Sequence, residues 1–236
     1  MIKILDARLQ FNSLSGSNTG QTIVVHHALK KICTIEDIHA WHLANGWAGC
    51  GYHFFVSKSG NIYRGRPIEI KGAHCKEDDK NFTSVGVCVE GCYQDFTPTT
   101  DLIHYSVSYD ALKYVDVFGV DQTDKEMPKA QFDALVELIK YICALKGITA
   151  SGNTVEPHRK YATYKLCPGN YFPWSELIQA VTYSTEVQYA LDALDSLHRQ
   201  GRLTSPEIWK NRIIGGEALP DWLFLVLLER ISKGGV

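Results

Sequence analysis

The sequence lacks two features that would point to common binding partners. No apolar run approaches the roughly 18 residues of a membrane-spanning helix, so we expect no insertion into a membrane. Neither sign of charge is in large excess, because the chain has 24 Lys and Arg residues and 26 Asp and Glu residues, which give a net charge of −2. Nucleic acids and anionic membrane surfaces attract proteins with clustered positive charge, so neither is an expected partner. Repeats and low-complexity tracts are also missing.

The N-terminal residues, Met1 to Arg8, lack the long apolar stretch that is typical of a signal peptide. We therefore expect synthesis in the cytoplasm without a signal peptide, where thiols stay reduced. The seven cysteines are an odd number, so they cannot all pair with one another. Cys33, Cys50 and Cys143 lie among apolar residues and are interpreted as small buried hydrophobic side chains.

A chain of 236 residues with 45% hydrophobic and 21% charged residues is long enough for one sizeable domain and one small domain. Alternating and β-branched runs predict strands, and apolar residues at helical spacing predict helices. The predicted strands cover residues 22–26, 52–56, 62–64 and 84–90, and the predicted helices cover residues 35–45 and 129–146. Strands interleaved with helices favour an α/β domain.

The pattern becomes purely helical after about residue 182. Helices are predicted over 184–201, from Pro206 to about 214, and over 219–231. The last of these is apolar around most of its circumference, so we expect it to pack on the larger domain or to pair with a second copy as a homodimer. We therefore divide the chain into residues 1–182 and a three-helix module of residues 183–236. The apolar segment 97–128 is interpreted as an insertion beside a groove.

Two places in the sequence offer zinc ligands. His26 and His27 close the first predicted core strand, and His158 and Cys167 lie nine positions apart in one loop. A catalytic zinc site uses three protein ligands and keeps one position open. The spacing by itself is weak evidence for a metal site, and on that basis a surface histidine and a buried cysteine are the favoured interpretation of the second pair.

Six motifs in order resemble a known superfamily. They are Ile23-Val24-Val25-His26-His27, Gly51-Tyr52-His53-Phe54-Phe55-Val56, Gly60-Asn61-Ile62-Tyr63-Arg64-Gly65-Arg66, Gly72-Ala73-His74, Ser84-Val85-Gly86-Val87, and His158 through Cys167-Pro168-Gly169. Together they are similar to the N-acetylmuramoyl-L-alanine amidases of the phage-lysozyme and peptidoglycan-recognition-protein superfamily. This resemblance implies a central mixed β-sheet flanked by helices. It also implies hydrolysis of the amide between N-acetylmuramic acid and the first L-alanine of peptidoglycan.

The resemblance implies a Zn²⁺ ion held by His26, His158 and Cys167. His27 is the rival of His26, because adjacent strand residues face opposite sides and both sides are apolar here.

The resemblance further implies that Tyr52 orients the attacking water and that Lys165 faces the developing oxyanion. Both residues also have a structural interpretation, Tyr52 as a core aromatic and Lys165 as a solvated charge. His74 and Asn81 are assigned to the substrate groove on the same basis.

One position departs from the family pattern. Cytoplasmic recycling amidases carry a glutamate where this sequence has Cys88, and a thiol with an ordinary pKa near 8.5 is a poor general base. Phage-lysozyme relatives also lack the glutamate. Glu90 lies on the same strand face and is a candidate substitute, although the sequence slightly favours its interpretation as a solvated strand-end carboxylate.

These observations leave three functions open. The first is a lysin of phage type that degrades bacterial cell wall after release, with the helical module binding the wall. The second is a non-catalytic peptidoglycan-recognition module, but such relatives commonly lose the cysteine ligand, which is present here. The third is a zinc hydrolase of another amide, or an interaction protein on the same scaffold.

Overall fold

The computed structural model describes residues 2–94, 123–183 and 185–214. The chain divides into two compact units, Met1–Leu177 and Ile178–Val236. The first unit is built on six strands: β1 (Ile4–Asp6), β2 (Thr22–His27), β3 (Phe54–Val56), β4 (Ile62–Arg64), β5 (Ser84–Val89) and β6 (Val155–Pro157). They form one mixed sheet in the order β1-β4-β3-β5-β2-β6.

Strand β2 lies inside the sheet and pairs in parallel with β5 on one side and β6 on the other. Its residues Ile23, Val24 and Val25 are fully buried. Such β-branched runs suit strands that are covered on both faces. Strands β3 and β4 form the predicted antiparallel hairpin around the loop of residues 57–61.

Within the described residues, four α-helices belong to the first unit or begin in it: α1 (Ile35–Ala44), α2 (Lys80–Thr83), α3 (Lys129–Lys146) and α4 (Trp174–Thr182). Thr34 caps α1, since its side chain accepts a hydrogen bond from the N–H of Asp37 and the Asp37 carboxylate accepts one from the N–H of Thr34. Helix α3 ends at Gly147, whose φ of 66° is favourable for glycine.

The predicted fold class is confirmed: a mixed six-stranded sheet with helices. The strands β1 and β6 were not predicted. Strand β6 consists of Val155, Glu156 and Pro157, and the proline is tolerated because β6 is at the sheet edge.

The second unit contains the rest of α4 together with α5 (Thr185–Arg199) and α6 (Pro206–Ile214), close to the predicted bounds. Its buried cluster consists of Ala193, Leu194, Leu197 and Leu203, with Trp209 and Ile213 packed against it. None of the helices in the described residues is long and apolar enough to cross a membrane. The predicted helix 219–231 and most of the predicted insertion 97–128 lie outside the described residues. The division at residue 182 stays a prediction.

Candidate metal and active site

Three potential ligand atoms converge at one end of β2. The ligand atoms of His26, His158 and Cys167 all lie within 4.8 Å of one another. The three residues are 1%, 4% and 7% exposed, respectively. Parallel pairing brings the histidines together: Val25 lies opposite Pro157, and a histidine directly follows each of these two residues, His26 within β2 and His158 after the end of β6. Their ring centroids are 4.3 Å apart.

Cys167 returns to this point because the loop after β6 folds back on itself. The backbone N–H of Arg159 donates to the carbonyl of Cys167 at 2.8 Å. The guanidinium of Arg159 donates to the carbonyl of Gly169 at 2.9 Å. The Cys167 Sγ then lies 3.9 Å from Nδ1 of His26.

His27 faces away from this cluster. Its Nδ1 accepts a hydrogen bond from the N–H of Tyr93 at 3.1 Å. Adjacent residues of a strand point to opposite faces, so only one of the two histidines can join the cluster, and that residue is His26.

The electrostatics of the cluster favour neutral imidazoles. Burial, followed by the neighbouring His158 and His74, lowers the pKa of His26 well below its usual value. Burial is also the main reason why the pKa of His158 is lowered to about 4. Burial raises the pKa of the Cys167 thiol to about 12. A hydrogen bond from the His27 backbone and the positive charge of Lys165 act in the opposite direction, but their effect is smaller.

This donor set fits a divalent metal such as zinc. Two neutral imidazoles and one thiol match the three-ligand composition of catalytic zinc sites, and a bound metal displaces the thiol proton. The Nε2 of His158 is also buried without a hydrogen-bond partner among the described residues. An unpaired, buried imidazole nitrogen of this kind is available to bind a metal ion.

Tyr52 and Lys165 both lie beside the cluster. The ring centroid of Tyr52 is 5.0 Å from that of His26. Burial is the main reason why the pKa of Tyr52 is raised well above its usual value, so its phenol keeps its proton. The positive charge of Lys165 lowers the pKa values of His26, His158 and Cys167, which makes it an electrostatic neighbour of all three.

His74 and Asn81 form one structural unit next to His26. The Nδ1 of His74 lies 3.1 Å from Nε2 of His26. The Oδ1 of Asn81 accepts hydrogen bonds from the backbone N–H groups of His74 and Cys75, at 2.7 and 2.9 Å. Their assignment to the substrate groove stays a prediction.

Glu90 is held by backbone groups. Its two carboxylate oxygens accept hydrogen bonds from the N–H of Cys33 at 3.3 Å and the N–H of Lys58 at 2.7 Å. Cys88 is fully buried, and burial raises its thiol pKa well above the usual value, so it is a poor base. The role of Glu90 as a base stays a prediction.

Two carboxylates near His158 were missed by sequence reasoning. Glu77 forms a second group with Cys75 and His158, in which the ligand atoms lie within 4.8 Å, and it accepts a hydrogen bond from the hydroxyl of Tyr164 at 2.8 Å. Glu156, only 2% exposed, is contacted by the ammonium of Lys160 and the hydroxyl of Tyr161. The only sequence signal for Glu156 is its position two residues before His158.

The model of the N-acetylmuramoyl-L-alanine amidase family matches residues 16–170, a range that contains all three converging residues. The chain belongs to this family. Among similar proteins, the endolysin of Klebsiella phage KP32 is 36% identical over 87 residues, which are 36% of this chain and 55% of the endolysin. The chain spans about half the length of the phage relatives that it matches.

Solved structures of similar proteins share the fold. The N-acetylmuramoyl-L-alanine amidase LysC from Clostridium intestinale is 25% identical, with a TM-score of 0.60 over 78% of this chain and all of that chain. Drosophila PGRP-LB is similar in fold, at 20% identity and a TM-score of 0.52 over 77% of this chain and 96% of that chain.

Proposed function

We propose that this amidase-family chain is a zinc-dependent N-acetylmuramoyl-L-alanine amidase that acts on peptidoglycan as a phage-type lysin. The observation that supports the proposal most is the convergence of His26, His158 and Cys167 within 4.8 Å, inside the range that matches the family. The resemblance to phage endolysins and to a clostridial amidase supports the same reaction. As a lysin, the protein would reach the cell wall after release from the producing cell.

The metal, when bound, would supply Lewis-acid activation of a water molecule and of the scissile carbonyl. The residues of the chain would supply two further functions. The protonated phenol of Tyr52 would orient the attacking water. The ammonium of Lys165 would stabilise the negative charge that develops on the carbonyl oxygen. The amine of the leaving alanine also needs a proton, which requires an acid within hydrogen-bond reach.

A non-catalytic recognition module is the second candidate, since peptidoglycan-recognition proteins are also similar to this chain. The two candidates differ in one property. An enzyme needs every ligand of the metal, whereas a recognition surface does not. The presence of all three donors therefore favours the enzyme.

Digestion of purified peptidoglycan tests the reaction. The wild-type protein should release new free α-amino groups on alanine, and a chelator or the substitution Cys167→Ser should abolish this release. New reducing sugar ends would instead indicate a glycosidase. Binding to peptidoglycan without any new amino groups would establish the recognition module.

A further inference from the structure

The two nitrogens of His26 have different partners. Its Nδ1 faces Cys167, with 3.9 Å between Nδ1 and Sγ. Its Nε2 lies 3.1 Å from Nδ1 of His74, and the two rings are nearly perpendicular, at 83°. Both side chains are buried, so water does not compete strongly for either contact. His26 thus connects the ligand cluster to a second histidine behind it.

The position of the proton on His26 determines which histidine donates the hydrogen bond between His26 and His74. A neutral imidazole carries one N–H, and the nitrogen that binds a metal cannot carry it. Nδ1 is the nitrogen of His26 that faces Cys167, so its proton belongs on Nε2. From there it can be donated to only one described neighbour at hydrogen-bond distance, Nδ1 of His74.

We propose that His74 is a positioning residue of the metal centre, which accepts a hydrogen bond from Nε2 of His26 and thereby fixes Nδ1 as the ligand atom. The inference rests on the proposed metal site. Partners of this kind set the tautomer and the ring orientation of metal-binding histidines, and their loss typically weakens metal affinity about 10–100-fold.

His74 is itself rigidly held. Asn81 binds the backbone N–H of His74 through its Oδ1. Two glycines leave space for the ring: an added Cβ would lie 2.5 Å from Cδ2 of His74 at Gly72 and 2.4 Å from the same atom at Gly86. A larger residue at either position would displace the ring, so the Gly72-Ala73-His74 motif, Asn81 and Gly86 act as one support for His26.

The competing role is direct contact with substrate. His74 is 8% exposed, its Nδ1 is directed at His26 and its Nε2 is buried, so neither ring nitrogen is open to a glycopeptide. The two roles predict different kinetics. A substrate contact raises KM at unchanged metal affinity, whereas a positioning residue changes the metal affinity itself.

Zinc affinity, measured by competition with a chelating dye, tests the proposal. His74→Leu removes the acceptor and should raise the Kd for zinc about 10–100-fold. His74→Asn should stay within a few-fold of wild type, because Oδ1 of asparagine occupies nearly the place of Nδ1. His39→Leu is the matched control: His39 is also 8% exposed and hydrogen-bonded through both nitrogens, to Gln10 and Cys50, outside the cluster. It should leave zinc affinity unchanged.

The tautomer can be measured directly in the wild-type protein. Proton–nitrogen correlation spectra of ¹⁵N-histidine-labelled zinc protein should show His26 protonated at Nε2 and bound to metal through Nδ1. Metal on Nε2 would overturn the proposal, as would equal zinc affinity in wild type and His74→Leu. If His74→Leu does not fold, the spectra of the wild-type protein and the zinc affinity of His74→Asn still test the proposal.

The outcome also separates this inference from the proposed function. A wild-type protein that takes up no zinc overturns both. Weakened zinc binding in His74→Leu, in a protein that releases no alanine amino groups from peptidoglycan, supports the positioning role and overturns the proposed reaction.

Discussion

Lys165 and Tyr52 lie beside the ligand cluster without belonging to it. We expect Lys165→Ala and Tyr52→Phe to retain zinc and fold but to lose turnover by about 10²–10³, or about 2.7–4 kcal/mol of barrier, as for other groups that stabilise an oxyanion. Steady-state kinetics on a soluble muropeptide and metal analysis of the same samples measure the two quantities. Near-normal rates in both variants would make Tyr52 a packing aromatic and Lys165 a solvated charge.

Glu90 should matter for stability more than for rate. Its carboxylate accepts two backbone hydrogen bonds, from Cys33 and Lys58, and hydrogen bonds to a charged group typically contribute about 1.5–3 kcal/mol. Glu90→Gln should therefore lower the free energy of unfolding by up to about that amount while kcat stays within a few-fold. Urea denaturation and kinetics separate the two effects. A fall in kcat as large as that of Lys165→Ala would identify Glu90 as the general base.

For single residues, the sequence predicted which side chains come together better than it predicted the contacts that hold each of them in place. The His26, His158 and Cys167 cluster followed from the family resemblance and is brought together by the structure. The choice between His26 and His27 did not follow from the strand, since both of its faces are apolar. In the structure His26 lies in the cluster, whereas Nδ1 of His27 accepts a hydrogen bond from the backbone N–H of Tyr93. Contacts such as those of His74 and Glu77 depend on loops, whose paths have no periodicity to predict them.

At the scale of elements, strand β6 and the loop after it determine where His158 and Cys167 lie. Glu156 anchors this region, because its buried carboxylate is paired with Lys160 and lies 3.8 Å from the ammonium of Lys80. Sequence patterns did not identify β6: three residues including a proline give no alternation to detect.

Loss of the Glu156 charge should loosen the ligand loop. We expect Glu156→Gln to lower the free energy of unfolding by about 1–3 kcal/mol and to weaken zinc binding. Asp133→Asn is the matched control, since Asp133 forms an exposed ion pair with Lys129, a kind that contributes at most about 1 kcal/mol. Urea denaturation and zinc competition test both variants. Zinc affinity that changes equally in the two variants would show that Glu156 does not hold the loop.

For the whole molecule, we expect the two units to have different functions, with cleavage in the first unit and an additional wall contact in the second. A chain ending near Thr182 keeps every candidate catalytic residue and should retain zinc and cleave soluble muropeptides at nearly the full-length rate. It should act more slowly on intact walls, where a second binding contact raises the effective concentration. Rates on both substrates and sedimentation of both proteins test this, including the predicted homodimer. Collapse of muropeptide cleavage in a folded truncated protein would assign the second unit to the active site.

The buried histidines should make the metal-free protein sensitive to acid. Burial is the largest cause that lowers the pKa of His27 to about 3 and those of His53 and His158 to about 4. Below the usual value of about 6.5, the unfolded chain therefore binds protons that the folded chain does not, and stability falls as the pH decreases towards 4. Each group contributes up to about 1.4 kcal/mol per pH unit. Urea denaturation at pH 7, 6 and 5 should show the decline, and a constant free energy of unfolding would contradict it.

The distance along the chain between the converging residues also sets when the site can form. Cys167 and His26 are 141 positions apart, so a nascent chain has no complete ligand set until almost the whole first unit has been synthesised. At about 5–20 residues per second, the last ligand is added roughly 7–30 s after the first. Incomplete chains released early by the ribosome therefore carry His26 but lack the site, which ties any activity of the protein to completed translation of its amidase unit.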